Sequence, residues 1–551
     1  MLWKSSLSMA VAMLVTALAA CGSYGKQQPS VVVPSSLVIA PATTSTPAGT
    51  TQQFTATVTF SDSSTRDVTA QASWASNANS VATVTQVGGR GTAVAPGDAT
   101  ISASFTASGS TVTGSAAFHV TTAVLRSVAV TPGGAQLELG ANQQFAAIGT
   151  FSDGTTQDLT ASAVWSSSDP TVLRVNATAG RVGLGNTRGP GTATISAAVN
   201  AISGSTSATI ARRVPKFLYA AGLAGINGYS INATTGALTP LASPPVTGTQ
   251  NITSLAVTRD RKFLYAADFV LGGILGFRID DSGALIALPG SPFLLSSRAV
   301  SNPVSVVASP TADFLFMTDL AVGDITTFSI GADGALTALT PSAVVGPALF
   351  AAATPDGKFF YQARTPSPTI AGLSIAANGT LSRIANNPIQ TGTLPRMVTV
   401  DPSGRFLYAV DLQFAQDPTT SVFAFAIDAV SGALTPVTGS PFTAGRTPVV
   451  AAANPSGRFL YTTNAVGNSV SGFSVDAESG ALTNVPGTPF PTGVSPLAVA
   501  VDAGAQFVYV GLLDNPGVQA FTIDQRTGSL TEIVGSPFPA PGSVLAIAST
   551  Y

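Results

Sequence analysis

One short sequence recurs through the second half of the chain and constrains the fold more than any other feature. It is a tripeptide of the Phe-Leu-Tyr type, and its seven copies begin 45 to 53 residues apart. The copies are Phe217-Leu218-Tyr219, Phe263-Leu264-Tyr265, Phe314-Leu315-Phe316, Phe359-Phe360-Tyr361, Phe406-Leu407-Tyr408, Phe459-Leu460-Tyr461 and Phe507-Val508-Tyr509. A period of this length, built from short strand-like runs and turns, predicts a propeller with one four-stranded blade per repeat.

The composition fits an all-β chain of several domains. The 551 residues are too many for one core, and Gly (54) and Pro (37) are plentiful while long amphipathic helical patterns are missing. Only 9% of residues are charged, with 24 Lys+Arg against 26 Asp+Glu. Because nucleic-acid binding needs a concentrated basic surface, we expect no nucleic-acid partner.

The chain has one Cys and one His, which limits its chemistry. A disulfide within one chain, a Cys/His metal cluster and a Cys-His catalytic pair are all excluded by these counts. We therefore predict no metal site and no cofactor.

The N-terminus predicts export. Residues 1–20 carry an early charge, Lys4, and then an apolar run from Leu7 that is too short to span a bilayer, as in a secretory signal peptide. The segment ending at Cys21, Leu18-Ala19-Ala20-Cys21, resembles the bacterial lipobox. The resemblance implies cleavage before Cys21 and lipidation of that residue. It also implies a membrane anchor, because several acyl chains hold a protein firmly at a bilayer. The alternative is an ordinary signal peptide with an incidental Cys.

Two further features of this region extend the prediction. Residue 22 is Gly and not Asp, which for lipoproteins of the common Gram-negative type implies the outer membrane, facing either the periplasm or the cell surface. Residues 21–34 are polar and interrupted by Pro, so they are predicted to be a flexible tether after the lipidated Cys.

Residues 35–211 contain a second repeat, of about 90 residues. Phe60-Ser61-Asp62 returns as Phe151-Ser152-Asp153, and Trp74 returns as Trp165. The strict alternation over 54–60 indicates half-buried strands, and about seven such strands around one Trp predict an immunoglobulin-like sandwich. The repeated pattern resembles the bacterial Ig-like group-2 domains of surface adhesins and extracellular enzymes. The predicted domains are 35–122 and 124–211.

Several residues of these two domains have alternative interpretations. Trp74 and Trp165 could stack on carbohydrate, but a core position is favoured because both copies have it beside apolar strands. The pairs Asp62/Asp67 and Asp153/Asp158 could bind Ca²⁺, but turn-forming carboxylates are favoured. His119 is expected on the surface of its strand, and residues 183–189 are interpreted as a hairpin loop.

The ends of the predicted propeller, residues 214–551, indicate how its ring closes. An inner-strand run precedes every tripeptide except the first, and residues 544–548 supply such a run with no tripeptide behind it. We predict that this C-terminal strand completes blade 1 and leaves no open sheet edge. The fold class is thus all-β, with two tandem Ig-like sandwiches followed by a seven-bladed propeller.

A second motif in this region suggests a family. Ser-Pro-Phe or Thr-Pro-Phe segments begin at Ser291, Ser440, Thr488 and Ser536, after the outer strand of their blades. With the tripeptide and a Phe-x-Ile-Asp strand, the pattern resembles the seven-bladed lactonase-type propellers, which include 6-phosphogluconolactonase and the muconate-lactonising enzymes. The resemblance implies the fold, but it implies little about activity because one fold hosts many functions.

Ligand sites on such rings lie at one mouth of the central channel. The loops after the second strand of each blade offer Asp268, Asp319, Arg364, Asp411 and Asn464, and those that lead into the inner strand offer Arg298, Arg396 and Arg446. Several Arg around one channel could hold a phosphate or carboxylate. The alternative is that these are solubilising charges paired with neighbouring Asp.

Catalysis is harder to assemble from these residues. Lactone hydrolysis needs a general base or a metal-held water. Residues 214–551 contain no His and no Cys, and their two Glu, Glu478 and Glu532, are predicted away from this mouth. The His/Glu/Arg set that the resemblance implies therefore cannot form, and an Asp with its usual pKa of about 4 is a weak base.

The functional prediction follows from these points. We expect a lipid-anchored envelope or surface protein, not an enzyme, whose Ig-like stalk presents a propeller that binds a protein, a glycan or a small anionic ligand. The alternative is an exported lactonase-like hydrolase that uses Asp and Arg at the mouth. A weaker third hypothesis is an assembly factor that binds partner proteins through the propeller rim.

Overall fold

The computed structural model describes residues 32–551 except 153, 179, 250, 295–300, 340–342, 345, 386–387, 392–393 and 412–420. Every secondary-structure element assigned in these residues is a β-strand, which confirms the all-β prediction. No helix in the described ranges is long and apolar enough to cross a membrane. Cys21, the predicted signal peptide and Arg298 lie outside the described residues.

The chain divides into two compact units. One ends at Arg126 and includes Thr150–Thr156, and the other comprises Ser127–Gly149 and Gln157–Tyr551. The second unit therefore contains most of the second Ig-like copy together with the whole propeller.

The first Ig-like copy has ten strands, where about seven were expected, in sheets of three, four and three strands. They are β1 (Pro34–Ala40), β2 (Thr43–Pro47), β3 (Thr51–Gln53), β4 (Thr55–Phe60), β5 (Thr65–Asp67), β6 (Ser73–Ser76), β7 (Ala82–Val84), β8 (Arg90–Ala93), β9 (Gly97–Ala107) and β10 (Ser110–Thr121). The additional strands are short ones of three or four residues, whose alternation is too brief to recognise in the sequence.

The second copy repeats the same three sheets. Its strands are β11 (Leu125–Thr131), β12 (Ala135–Glu138), β13 (Asn142–Gln144), β14 (Ala146–Phe151), β15 (Thr156–Asp158), β16 (Val164–Ser167), β17 (Leu173–Val175), β18 (Leu184–Thr187), β19 (Gly191–Val199) and β20 (Ile202–Ala211). The prediction of a hairpin loop at 183–189 is wrong, because β18 pairs with both β13 and β17.

The Trp residues of both copies are core residues. Trp74 is 4% exposed and Trp165 is 8% exposed, and each indole N–H donates to a main-chain carbonyl at 3.0 Å, that of Thr69 or Thr160. A buried indole with its single donor satisfied stabilises a sandwich core without needing a ligand.

The acidic pairs of the Ig-like copies cap turns, as favoured from the sequence. The Asp62 carboxylate accepts from the Ser64 N–H at 3.0 Å, and Asp67 accepts from the Thr69 N–H at 2.8 Å. Asp158 repeats the second of these bonds with Thr160, while Asp153 lies outside the described residues. His119 is exposed on its strand, as expected, and contacts Asp98 at 2.6 Å.

The propeller has seven blades, each with antiparallel strands that run from an inner strand outward. The strands of blades 1 to 4 are, in chain order, β21 (Phe217–Gly222), β22 (Gly225–Ile231), β23 (Leu238–Pro240); β24 (Ile252–Val257), β25 (Phe263–Asp268), β26 (Gly273–Ile279), β27 (Leu285–Ala287), β28 (Phe293–Leu294); β29 (Pro303–Ala308), β30 (Phe314–Asp319), β31 (Asp324–Ile330), β32 (Leu336–Ala338), β33 (Ala343–Val344); and β34 (Ala348–Ala353), β35 (Phe359–Arg364), β36 (Thr369–Ile375), β37 (Leu381–Arg383), β38 (Ile389–Gln390).

Blades 5 to 7 have the same order. Their strands are β39 (Pro395–Val400), β40 (Phe406–Asp411), β41 (Ser421–Ile427), β42 (Leu434–Pro436), β43 (Phe442–Thr443); β44 (Pro448–Ala453), β45 (Phe459–Asn464), β46 (Ser469–Val475), β47 (Leu482–Asn484), β48 (Phe490–Pro491); and β49 (Pro496–Val501), β50 (Phe507–Leu512), β51 (Gly517–Ile523), β52 (Leu530–Glu532), β53 (Phe538–Pro539).

A final strand, β54 (Val544–Ser549), closes the ring. It pairs antiparallel with β21 in the order β23-β22-β21-β54, so it supplies the inner strand that blade 1 lacks. The prediction of closure by the C-terminal strand is confirmed, and β21 is not left as an edge strand.

The outer strand of blades 2 to 7 is interrupted, which was not predicted. Two short strands, such as β42 and β43 of blade 5, pair with different parts of the same third strand. The Ser440 hydroxyl lies between them and accepts from the Ala424 N–H at 2.9 Å. Ser291, Thr488 and Ser536 accept equivalent bonds, so the first residue of the Ser-Pro-Phe motif satisfies a third-strand donor where the outer strand breaks.

The tripeptides join neighbouring blades. In six of the seven blades the Tyr hydroxyl donates to the carbonyl of a turn glycine in the next blade, at 2.7 to 3.1 Å. The pairs are Tyr219 with Gly283, Tyr265 with Gly334, Tyr361 with Gly432, Tyr408 with Gly480, Tyr461 with Gly528 and Tyr509 with Gly236. In blade 3, where Phe316 replaces Tyr, the Thr327 hydroxyl makes the bond to Gly379 at 3.1 Å.

The other two residues of the tripeptide fill the spaces between blades. The Phe ring lies over the same turn glycine, so that a Cβ added to Gly432 would stand 2.5 Å from the Phe359 ring. The middle residue points to the opposite side, as Leu264 does when it packs among Phe217 and Tyr219 of the preceding blade. Each tripeptide therefore holds its blade against both neighbours.

The second Ig-like copy contacts the propeller through arginines. Arg181 donates to the carbonyls of Ser403 at 2.8 Å and Gly404 at 2.6 Å, and Arg174 donates to Ala477 at 2.7 Å. These carbonyls lie in turns that join the first and second or the third and fourth strands of blades 5 and 6. The Ig-like copy thus covers the face opposite the ends of the tripeptide strands.

Burial has a cost at this contact. Desolvation, followed by the charges of Arg174 and Arg458, lowers the pKa of Arg188 to about 10. Arg188 donates to the Gly457 carbonyl at 3.4 Å, and Arg405 donates to Ala477 at 2.7 Å. Main-chain carbonyls therefore offset part of the desolvation of several guanidinium groups.

Two glycines of blade 5 allow the cost of backbone strain to be measured separately from the cost of steric overlap. Gly432 and Gly439 both have positive φ, but an added Cβ stands 2.5 Å from Phe359 at the first and 3.5 Å from Phe442 at the second. We expect Gly439→Ala to lower the free energy of unfolding by about 1–2 kcal/mol, the cost of left-handed backbone. Gly432→Ala should lower it by a further 1–3 kcal/mol, roughly, from overpacking. Urea denaturation checks this, and equal losses would contradict the role given to the Phe ring.

The buried tyrosines predict instability in alkali. Burial raises the pKa of Tyr229 to about 12, and burial also raises the pKa values of Tyr219, Tyr265, Tyr361, Tyr408, Tyr461 and Tyr509. A phenol with a raised folded pKa contributes stability that is complete below its unfolded pKa of about 10 and is lost as pH rises toward the folded pKa. We expect the free energy of unfolding to fall above about pH 10, at most by about 1.4 kcal/mol per pH unit for each tyrosine. The chain has nine Tyr, of which seven belong to this buried set, so absorbance of more than two tyrosinates near pH 10 before the fold is lost would contradict this.

Candidate functional site

The tripeptide strands end in a ring of equivalent residues at one mouth of the propeller. The sixth residue of each second strand pairs with the first residue of the inner strand, as Asp268 pairs with Ile252 and Asp411 with Pro395. From blade 1 to blade 7 these residues are Gly222, Asp268, Asp319, Arg364, Asp411, Asn464 and Leu512. The predicted residues of this group therefore occupy one level in five consecutive blades.

Arg396 occupies a second level, nearer the channel. The pairing of each inner strand is irregular directly after its first residue, and Arg396 lies in this bulge between Pro395 and Met397. The corresponding residues are Thr253, Val304, Leu349, Val449, Leu497 and Leu545. Arg396 is the charged residue of this level. Bulges commonly redirect a side chain beside a binding site.

Two of the predicted arginines have unused donors. Arg364 and Arg396 are half-buried, and the Nε of each is buried with no acceptor among the described residues. Desolvation by burial lowers the pKa of the Arg396 guanidinium. Arg446, in contrast, is exposed on the loop that leads into blade 6, and Arg298 lies outside the described residues.

Arg364, Arg396 and Arg446 have no carboxylate partner in the part of the chain that the structure describes. Within the described ranges no ion pair joins Arg364, Arg396 or Arg446 to an aspartate of the mouth. The idea that the mouth arginines are paired solubilising charges is thus not supported for Arg364 and Arg396.

Asp268 and Asp319 hold the turns that follow their strands. Both are fully buried, and Asp268 accepts from the Leu271 N–H at 3.0 Å. Asp319 accepts from the Ala321 N–H at 2.8 Å and from the Ser301 hydroxyl at 2.6 Å. A carboxylate that caps a turn and has no exposed surface is poorly suited to take a proton from a substrate.

The other two polar residues of the ring are buried as well. Asn464 is 0% exposed and donates to the hydroxyls of Ser469 and Ser471 at 3.0 Å each. Asp411 is 3% exposed, and the loop that follows it, 412–420, lies outside the described residues. Of the predicted site residues that the structure describes, only the three arginines have more than slight exposure.

The two glutamates of the propeller are engaged elsewhere. Glu478 forms ion pairs with Arg174 and Arg405 at the contact with the second Ig-like copy. Glu532, on an outer strand, accepts from the Gln519 amide at 2.8 Å. In the described part of the chain no group of three or more His, Cys, Asp or Glu side chains is placed to hold a metal ion.

Gln362 was missed by the sequence analysis. It lies two residues before Arg364 on the same strand, is 0% exposed, and neither polar atom of its side chain has a hydrogen-bond partner in the described ranges. The equivalent residues of the other blades are Ala220, Ala266, Met317, Ala409, Thr462 and Val510. A comparison of the seven repeats would have identified it.

Comparison with known families agrees with this architecture. The profile described as "Lactonase, 7-bladed beta-propeller" matches residues 185–348, 351–452 and 451–546, more than half of the chain. The chain belongs to this family. The profile of the bacterial Ig-like domain (group 2) matches residues 35–115 and 124–210. The lactonase match begins inside the second Ig-like copy, although β19 and β20 pair with strands of that sandwich and the blades of this lactonase-family protein start at Phe217.

Solved structures share the fold. A proposed 6-phosphogluconolactonase from Bacteroides fragilis is 21% identical, with a TM-score of 0.53 over 61% of this chain and 98% of that one. A similar protein from Bacteroides uniformis gives 18% identity and a TM-score of 0.52 over 61% and 100%. The periplasmic gluconolactonase of Pseudomonas aeruginosa is 19% identical, with a TM-score of 0.50 over 61% of this chain and 99% of that one. At these identities the similarity shows the fold alone.

One curated protein shares sequence over a short stretch. Ice-binding protein 1 of Shewanella frigidimarina is 41% identical over 147 residues, which are 26% of this chain and 16% of that protein. The lactonase-family chain thus spans about a sixth of the length of this relative.

Proposed function

We propose that this protein is an exported, lipid-anchored envelope protein whose propeller binds a small anionic ligand at the mouth that carries Arg364 and Arg396. The observation that supports this most directly is the pair of half-buried guanidinium groups whose Nε donors have no acceptor in the described ranges. A half-buried guanidinium without a carboxylate partner in the described ranges is costly, and a carboxylate or phosphate at the mouth would compensate its charge and accept from its outer nitrogens.

The geometry favours binding over hydrolysis. A lactonase would need a base that reaches the substrate, yet Asp268 and Asp319 are fully buried and cap turns, and Glu478 lies on the opposite face. The arginines can hold an anion without a proton acceptor. The family description, lactonase, supports a hydroxy-acid type of ligand, since opening a lactone leaves a hydroxyl and a carboxylate. The name of the ice-binding relative supports no particular ligand, because only 16% of that protein is matched.

The position of the second Ig-like copy is consistent with a domain that supports the propeller and leaves the mouth open. It contacts the propeller turns opposite the proposed mouth, so the mouth is not covered by this domain. An N-terminal anchor at Cys21 would be joined to the propeller through the tether and the two Ig-like copies, which precede it in the chain.

The anchor is tested by changing Cys21. In a bacterial host, the wild-type protein should incorporate labelled palmitate and remain in the membrane fraction after a salt wash, because acyl chains and not charges hold it. Cys21→Ser should lose the label and leave the membrane fraction. A wild-type protein without label would show that the segment is an ordinary signal peptide.

Ligand binding is tested with variants of the two arginines. We expect D-gluconate, 6-phosphogluconate or inorganic phosphate to bind the wild-type protein in calorimetry, and Arg396→Gln and Arg364→Gln to weaken binding by roughly 10-fold or more, since a bond to a charged group is worth about 1.5–3 kcal/mol. Arg526→Gln is the matched control, because Arg526 is exposed in the turn between β51 and β52, away from the proposed mouth. This variant should bind the anions as tightly as the wild-type protein does.

Two outcomes would overturn the proposal. Binding that is equally weak in the control variant, or equally strong in all variants, would remove the arginines from the site. Turnover of gluconolactone that Asp411→Asn abolishes would instead support the hydrolase alternative.

A further inference from the structure

The seam between blades 3 and 4 differs from the other seams of the ring. On the blade 4 side, the strand β35 presents Phe360, Gln362 and Arg364 on one face, and Phe360 packs on Phe316 of blade 3 with ring centroids 5.1 Å apart. Ala351 and Ala371, which flank Gln362 in the sheet, belong to the same cluster as Phe316 and Ile325. Gln362 therefore faces blade 3.

The blade 3 side of this seam is also polar. Thr318 and Ser305 are paired neighbours in the sheet and are 0% and 2% exposed. The Thr318 hydroxyl donates to the Leu349 carbonyl of blade 4 at 2.9 Å, so this row lies directly against blade 4. The corresponding seam between blades 4 and 5 is built from Ala363, Ile370, Val398 and Ala409 and is apolar.

This polar seam leaves three groups unsatisfied. They are the Oε1 and Nε2 of Gln362 and the Nε of Arg364, all buried and without a partner among the described residues. Residues two apart on a strand lie on one face about 7 Å apart, and both side chains are long enough to approach each other. No direct hydrogen bond joins them, so one acceptor and two donors lie near each other between the blades.

The guanidinium end of Arg364 lies toward the mouth. A Cβ added to Gly346 would overlap this guanidinium, and the Gly346 N–H donates to the Gly323 carbonyl of blade 3 at 2.7 Å. Arg364 thus extends from the seam at its Nε to the rim at its outer nitrogens.

We infer that ordered water in this seam bridges Gln362 and Arg364, and that Gln362 acts as a positioning residue that holds the guanidinium toward an incoming carboxylate or phosphate. A water molecule can accept from the Arg364 Nε–H and donate to the Gln362 carbonyl oxygen, which satisfies two of the buried groups at once. The inference rests on the proposed anion site for its function, but the bridge itself can be observed in the free protein.

The bridge is tested first in a high-resolution crystal structure of the full-length mature protein without added anions. Density for water within hydrogen-bond distance of both the Arg364 Nε and the Gln362 amide supports the inference. A dry seam, or a Gln362 amide bonded directly to protein groups, overturns it.

The positioning role is tested with Gln362→Met. Methionine is chosen because blade 3 has Met317 at the equivalent position of its second strand. Thr462→Val is the matched control, since Thr462 is an equivalent buried residue whose hydroxyl also has no partner in the described ranges. D-gluconate and inorganic phosphate are the probes. We expect Gln362→Met to raise the dissociation constant about tenfold, in the same direction as the change expected for Arg364→Gln, while Thr462→Val should leave it unchanged.

The remaining outcomes are distinguishable. A Gln362→Met protein that unfolds at a higher temperature and binds both probes as the wild type does would show a merely unsatisfied amide and overturn the inference. If the wild-type protein binds neither probe, the proposed function fails for these anions, and the crystal structure alone then decides whether the bridge exists.

Discussion

The propeller depends on one repeated hydrogen bond, from a buried hydroxyl of one blade to a turn glycine of the next. Six of these bonds come from Tyr, and in blade 3 the Thr327 hydroxyl makes the seventh because Phe316 lacks one. A buried phenol without a partner would cost about 1–3 kcal/mol, so each blade is placed where its neighbour offers a carbonyl. The bond from Tyr509 to Gly236 applies this rule across the two ends of the ring.

Much of the architecture could be predicted from the sequence because it is repeated. Seven tripeptides predict seven blades, and the absence of an inner run before Phe217 predicts that β54 completes blade 1, as it does. The interrupted outer strand and the strand β18 were not predicted. Their two to four residues carry too little alternation, and their pairing depends on distant strands.

The candidate site was predictable only in part. The sequence places Asp268, Asp319 and Arg364 at one level, but whether a carboxylate is accessible depends on the loop that follows it. Asp319 caps its own turn, which no spacing of residues shows. Gln362 could have been identified from the sequence, since it stands among mostly apolar residues at the equivalent position of the seven repeats. That its amide is buried without a partner in the described ranges could be seen only in the structure, because this depends on the neighbouring blade. Repetition predicts the fold, and departures from repetition, such as Gln362 and Arg396, are the basis of the proposed binding site.

The closing strand also has a mechanical consequence. A pull on the N-terminal side of the propeller would load β21, the first strand after the Ig-like domains, once the contacts of the second Ig-like copy with blades 5 and 6 had parted. Because β21 lies between β22 and β54, such a force would shear two ladders at once and could not peel an edge strand away one bond at a time. Blade 1 would thus stay closed under loads that would open a ring without a closing strand.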